Sequence, residues 1–147
     1  MHRFVFGASL VASIVVAGGV VGGGGVSAAG AAGTPTEFLV HTAFGGSSPF
    51  ESTLDGCESG VVSEGRTQLQ IRRGHNVFNG AKVFECAGGA GGFTVQLNAT
   101  FNNDGSTGTW SIVDAWGSEA GLKGQGKLVG TITEAGIDDL YTGWTSG

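Results

Sequence analysis

Asp114 has the clearest route to chemistry among the acidic residues. It shares the two-residue parity of Trp110, Ile112 and Trp116, so a strand that runs this far would carry its carboxylate to the covered side. Desolvation there raises a carboxyl pKa and makes the group a usable acid or base. A strand that stops short leaves Asp114 in water, and the sequence holds both readings open. The neighbours Asp138 and Asp139 pose the same question: one of an adjacent pair faces each way in a regular strand, while near a strand end both are wet. Trp110, Trp116, Tyr141 and Trp144 have the flat faces needed to stack on a sugar or an aromatic ligand. Packing is the more ordinary use of Trp110. Trp116, flanked by glycine and expected in a loop at the mouth of the fold, is the first choice as a contact residue, with Trp110 and Tyr141 beside it as ligand-binding candidates.

Other constellations do not assemble. Serines, aspartates, His41 and His75 supply the residue types of a Ser-His-Asp hydrolase, but no serine stands in a nucleophile-elbow setting. Zinc needs His, Cys or carboxylate ligands at short spacings, and the histidines are far apart. Asn102, Asn103 and Asp104 lack the bidentate glutamate of a calcium loop and are ordinary turn formers. The glycine run at 88–92 leads into a strand, not into a helix with Lys and Ser or Thr in register, so it is no phosphate cradle. Asn98-Ala99-Thr100 matches a glycosylation acceptor but falls mid-strand. No metal and no cofactor is expected.

Strands must position these side chains. Within 93–133, Phe93, Val95, Leu97, Ala99 and Phe101 alternate with Thr94, Gln96, Asn98 and Thr100, the pattern of a half-buried strand. Asp104-Gly105 supplies a turn, and Trp110 and Ile112 continue the apolar side on the next strand. Upstream, residues 37–44 alternate with Phe38, Val40, Thr42 and Phe44 on one face. A second strand is expected in the later part of 50–62 and a third over 67–71, before a polar loop at 72–76. Asn79-Gly80 reads as a turn feeding a fourth strand at 82–86, and 87–92 as a flexible link. Residues 117–124 read as one helical turn or an irregular loop, and 125–133 and 137–144 as the last two strands. About eight short strands with no sustained helical period mean an all-β domain. A sandwich or a barrel would protect the sheet edges; glycines inside and beside the strands, which permit the bends of a small closed sheet, favour the barrel. The expected fold is a small antiparallel eight-stranded β-barrel preceded by a signal peptide.

The N-terminus has the layout of a secretory signal: a basic start at 1–3, an apolar, glycine-rich run at 4–26 and small residues at 27–32. The run approaches the ~20 residues that span a bilayer, so an uncleaved anchor is the competing reading; the glycines of its second half and the small-residue tail favour cleavage. On that reading 1–29 is the signal peptide, 30–36 a flexible lead-in and 37–147 one β-barrel domain. The protein is then secreted, with no stable membrane insertion after cleavage. The formal charge of −5 over 147 residues becomes more negative without Arg3, which weighs against nucleic acid as a partner. Cys57 and Cys86 are the only cysteines, and in an exported chain they are expected to form a disulfide. Free buried thiols or a redox pair are the alternatives, although the CxxC spacing that activates a thiol is missing.

The segment Phe78-Asn79-Gly80-Ala81-Lys82-Val83-Phe84-Glu85-Cys86 is followed by a glycine run into Phe93-Thr94-Val95 and by Gly108-Thr109-Trp110. Then come Gly121-Leu122-Lys123-Gly124-Gln125-Gly126-Lys127-Leu128-Val129-Gly130-Thr131 and Asp139-Leu140-Tyr141-Thr142-Gly143. This order resembles the bacterial secreted members of the allene oxide cyclase barrel-like group, a calycin-like family, over roughly residues 78–144. Glu119 stands where that pattern has an aromatic residue, and Trp116 where it has a small or hydroxyl one. The resemblance implies an eight-stranded antiparallel barrel whose lumen holds one small ligand or is filled. The plant cyclases that name the group steer a reactive lipid epoxide inside an apolar cavity, and none of their catalytic positions maps onto this chain.

Three functions stand as expectations. One is a non-catalytic binder of a small apolar or amphipathic ligand, or of a surface partner. Another is an allene oxide cyclase-like cyclase or isomerase that holds a reactive small molecule in an apolar lumen with Asp114 as acid or base. The last is a structural or interaction domain with a filled core. Open space in the lumen would favour the first two over the third, and the chemistry of its lining separates binder from enzyme. Assembly state is open.

Overall fold

The alternating runs form strands, and the strands close on themselves. The computed structural model describes residues 33–43, 47–72 and 75–147. The expected signal peptide at 1–29 lies outside the described residues. The elements are β1 (Thr34–Ala43), β2 (Ser48–Ser52), β3 (Ser59–Arg72), β4 (His75–Cys86), β5 (Gly91–Asn102), β6 (Gly105–Gly117), β7 (Lys123–Ile132) and β8 (Gly136–Ser146). Each pairs antiparallel with the next, and β8 returns to β1 with Thr34 opposite Thr145 and Ala43 opposite Gly136, giving a closed barrel. Closure removes the free edges that an open sheet would expose.

The boundaries differ from expectation in several places. The strands expected in the later part of 50–62 and at 67–71 are one strand, β3, because its backbone stays paired to β4 across a bulge between Glu64 and Thr67. A separate β2 stands at 48–52, and β4 already begins at His75 within the expected loop 72–76. Residues 34–36, expected in the flexible lead-in, already belong to β1, because their backbone pairs with β8 and the buried Thr36 and Thr145 hydroxyls share a 2.6 Å hydrogen bond. Asn79-Gly80 is not a turn; β4 runs straight through it, paired on both sides. A Cβ at Gly80 would sit 2.9 Å from the Phe78 ring and from the Thr67 methyl, so this glycine makes room for a neighbouring ring. The link at 87–92 is a tight turn that leads into β5 at Gly91, with Gly88 and Gly89 at φ +88° and +70°.

The inward faces match the alternation. Phe38, Phe50, Phe84, Phe93, Trp110 and Tyr141 are buried together. Phe84 stacks on Phe93 with centroids 4.9 Å apart, while Trp110 and Tyr141 meet Phe38 and Phe84 edge-on at 5.6 and 5.8 Å. Both arrangements suit the ring quadrupoles. Cys57 and Cys86 form a disulfide with Cα atoms 5.1 Å apart, tying the β2–β3 loop to the end of β4. Closing a loop with a sequence separation of 29 stabilises the fold by roughly 3–4 kcal/mol on the chain-entropy account.

Candidate functional site

The barrel has two unlike ends. At the end formed by the β2–β3, β4–β5 and β6–β7 turns, Leu54, Phe50 and the disulfide are buried against the aromatic cluster, and that half of the lumen is filled. At the other end, the inward face changes character. There β1 offers Thr42, β6 Ser106, β8 Asp139, β4 Lys82 and Phe78, β5 Phe101 and β3 Glu64 and Thr67. Register puts them on the lumen side, since Glu64 lies opposite Lys82, and Thr67 opposite Gly80. Yet the Glu64 side chain is 52% exposed, Thr67 is exposed, and Phe78 and Phe101 are only half-buried. Inward-facing side chains that touch solvent define a cup.

Its floor is polar. Lys82, with a side chain 10% exposed, pairs with Glu64 Oε1 and stands 5.6 Å from the centroid of the Phe78 ring. The buried carboxylate of Asp139 accepts a hydrogen bond from Ser106 Oγ at 3.2 Å on one oxygen and from Thr42 Oγ1 at 3.1 Å on the other. A methyl group at Gly130 would overlap both Ser106 Oγ and Asp139 Oδ1, so that glycine gives the pair its space. Burial pushes the Asp139 carboxyl above its ordinary range; the two hydroxyls and Lys82 oppose the shift, and the charge of Asp138 adds to it. Two residues along the same face, Tyr141 is fully buried and its hydroxyl finds no hydrogen-bond partner among the described residues. Burial, followed by the charges of Asp139 and Glu64, raises the phenol pKa further.

The arrangement therefore joins apolar walls, Phe78 and Phe101, to a floor of ammonium, carboxyl and hydroxyl groups. It can hold a molecule with a greasy body and one polar end. It also sets a carboxyl that keeps its proton more readily than usual at the base of a solvent-reached recess, which is the condition for acid–base work. Among the described residues, no three His, Cys, Asp or Glu side chains converge as a metal site would need.

The residues singled out from sequence lie in different parts of the barrel. Strand β6 does continue past Asp114, but its pairing slips at a bulge: Val95 faces Ile112 whereas Thr94 faces Asp114. The extra residue, Val113, resets the parity, and Asp114 lies exposed on the outer face. Of the adjacent pair Asp138 and Asp139, it is Asp139 that faces the lumen, where it is buried. Trp116 lies within β6, not in a loop at the open mouth, and its indole covers Gly92 on the outer face near the filled end. Trp110 is core, its indole N–H donating to the carbonyls of Lys127 at 3.1 Å and Thr142 at 3.3 Å. Tyr141 is in the lumen, 6.4 Å from Trp110 between ring centroids. The three do not converge. Lys82 was missed although a signal existed: it shares parity with Phe84 and Cys86, a lone cation on an apolar face.

No protein-family model, curated protein or solved structure matches this chain.

Proposed function

We propose that this chain is an exported barrel that binds a small amphipathic molecule in its open half. The single observation that carries the reading is the exposure of the inward-facing Glu64 and Thr67, in a barrel whose other half is packed shut. A ligand's apolar body would lie against Phe78 and Phe101, and its polar end would meet Lys82 and the Asp139 cluster. The disulfide suits an oxidising compartment, and the likeness to the allene oxide cyclase barrel-like group supports a lumen as the binding place. A filled structural core accounts for the aromatic half alone.

Asp139 favours a second reading, a cyclase or isomerase that moves one proton on the bound molecule. In that case the carboxyl held by Thr42 and Ser106 is the acid or base, in the role first expected of Asp114. Native mass spectrometry of the protein purified from culture medium tests binding: a retained small molecule is expected, and Phe78→Ala should release it. Absence of any retained species, together with no uptake of added long-chain fatty acid or alcohol, would overturn the binder. If the molecule is turned over, Asp139→Asn should stop exchange of its protons with deuterated solvent while leaving it bound.

A further inference from the structure

A second recess lies on the outside of the barrel, away from the cup. It spans β5 to β8 and has a volume of about 670 Å³, within the range of about 300–1,000 Å³ usual for small-molecule sites. Register arranges its rim in two ranks. In one, Asn98, Thr109, Lys127 and Thr142 follow one another across the four strands; in the other, Gln96, Ser111, Gln125 and Trp144 do so. At about 4.8 Å between strands, each rank is about 14 Å long. Between the ranks, Gly126 lies opposite Gly143 at inward-facing positions, paired with Trp110 and Thr36. The floor of the recess is therefore their backbone, and the room left by their missing side chains, on the inner side, takes the Trp110 indole. The Trp110 indole beneath holds the carbonyls of Lys127 and Thr142 together, so the floor is preorganised.

We propose that this outer recess binds an uncharged polysaccharide chain. The lining selects that class by chemistry. In a protein with a net charge of −5, the recess carries no carboxylate, so a cationic peptide finds no counter-ion there. Its single cation, Lys127, is too little for a nucleic acid or another polyanion, whose affinity grows with the number of charges neutralised. Amide and hydroxyl side chains dominate, and each both donates and accepts, as the hydroxyls of a sugar require. At the end of one rank Trp144, 40% exposed, presents a flat apolar face to the C–H side of a sugar ring. The exposed Trp144, which has no part in the cup, thereby acquires a role.

Incubation of the purified protein with insoluble cellulose, chitin, xylan and starch tests this. Retention on at least one is expected, undiminished in high salt and reversed by soluble oligosaccharides of the same sugar. Trp144→Ala and Gln125→Ala should each weaken it about tenfold, the share of one strong contact, whereas Trp116→Ala, on a different part of the outer face, should not. Should Trp144→Ala fail to fold, Gln125→Ala decides, since that side chain is exposed. No retention on any of the four, retention that salt abolishes, or retention that both variants keep would overturn the proposal. Phe78→Ala, in the cup, should leave retention intact, which separates this site from the lumen reading.

Discussion

The two halves of the lumen are built from the same strands, at the same strand number, and differ only in what points inward. Near the filled end the inward positions are Phe50, Phe84, Phe93 and Trp110; near the open end they include Thr42, Ser106, Gly80 and Gly130. Eight strands enclose an interior just wide enough for side chains to fill. Large rings therefore close one half, and small polar groups leave the other as a cup. Side-chain volume, not topology, decides where a ligand fits, and the same economy puts the polar cluster where water can still reach its rim.

Stability measurements would break or sharpen this contrast. Phe84→Ala removes a ring from the filled half and should cost about 3–5 kcal/mol, whereas Phe78→Ala, at the half-buried wall of the cup, should cost only about 1–2 kcal/mol. Equal losses in urea melts would mean that both halves are packed alike. Tyr141 sits at the border, and its buried hydroxyl has no partner among the described residues; Tyr141→Phe should stabilise the protein by about 1–2 kcal/mol. A loss in the same assay would show that the hydroxyl has a partner in solution.

Asp139 gives a smaller, pH-dependent effect. Because burial raises its pKa above 3.8, the native state holds this proton more tightly than the unfolded chain does. Its contribution is therefore present below about pH 3.8 and lost as pH rises through the native value. Asp139→Asn should remove that component, so variant and wild type should diverge in the variant's favour as the pH of the thermal melt is raised from about 3 to 7. A difference that shrinks with rising pH would contradict the assignment. The smallest change is expected from Asp114→Asn: an exposed group on the outer face should alter stability by less than about 0.5 kcal/mol and leave ligand retention untouched.

The strands were legible because alternation is local. Phe38 and Val40, and Phe93 through Ala99, are on the faces that their spacing predicts, and Cys57 and Cys86 pair as their number and context suggest. The site was less legible. Asp139 could be narrowed to one of an adjacent pair, but choosing it required knowing which of the two shares a face with Tyr141 in a strand that is still regular there. Asp114 was left between a lumen position and a solvated one, and it is solvated because a bulge of one residue shifts the later side chains of β6 to the opposite face. Nothing in the spacing of residues 110–116 announces that slip, because Val113 is as good a strand residue as its neighbours.

Local chemistry in this chain is enough to set the all-β class, the greasy face of regular strands such as β1 and β5, and the presence of two cysteines for one covalent tie, since pleat and residue type are local properties. Which carboxylate enters the lumen, which half stays open and how two ranks of amides and hydroxyls line up on the outside are settled only when strands distant in sequence meet. Pairing register between them is a property of the closed sheet, and a single extra residue in one strand changes it.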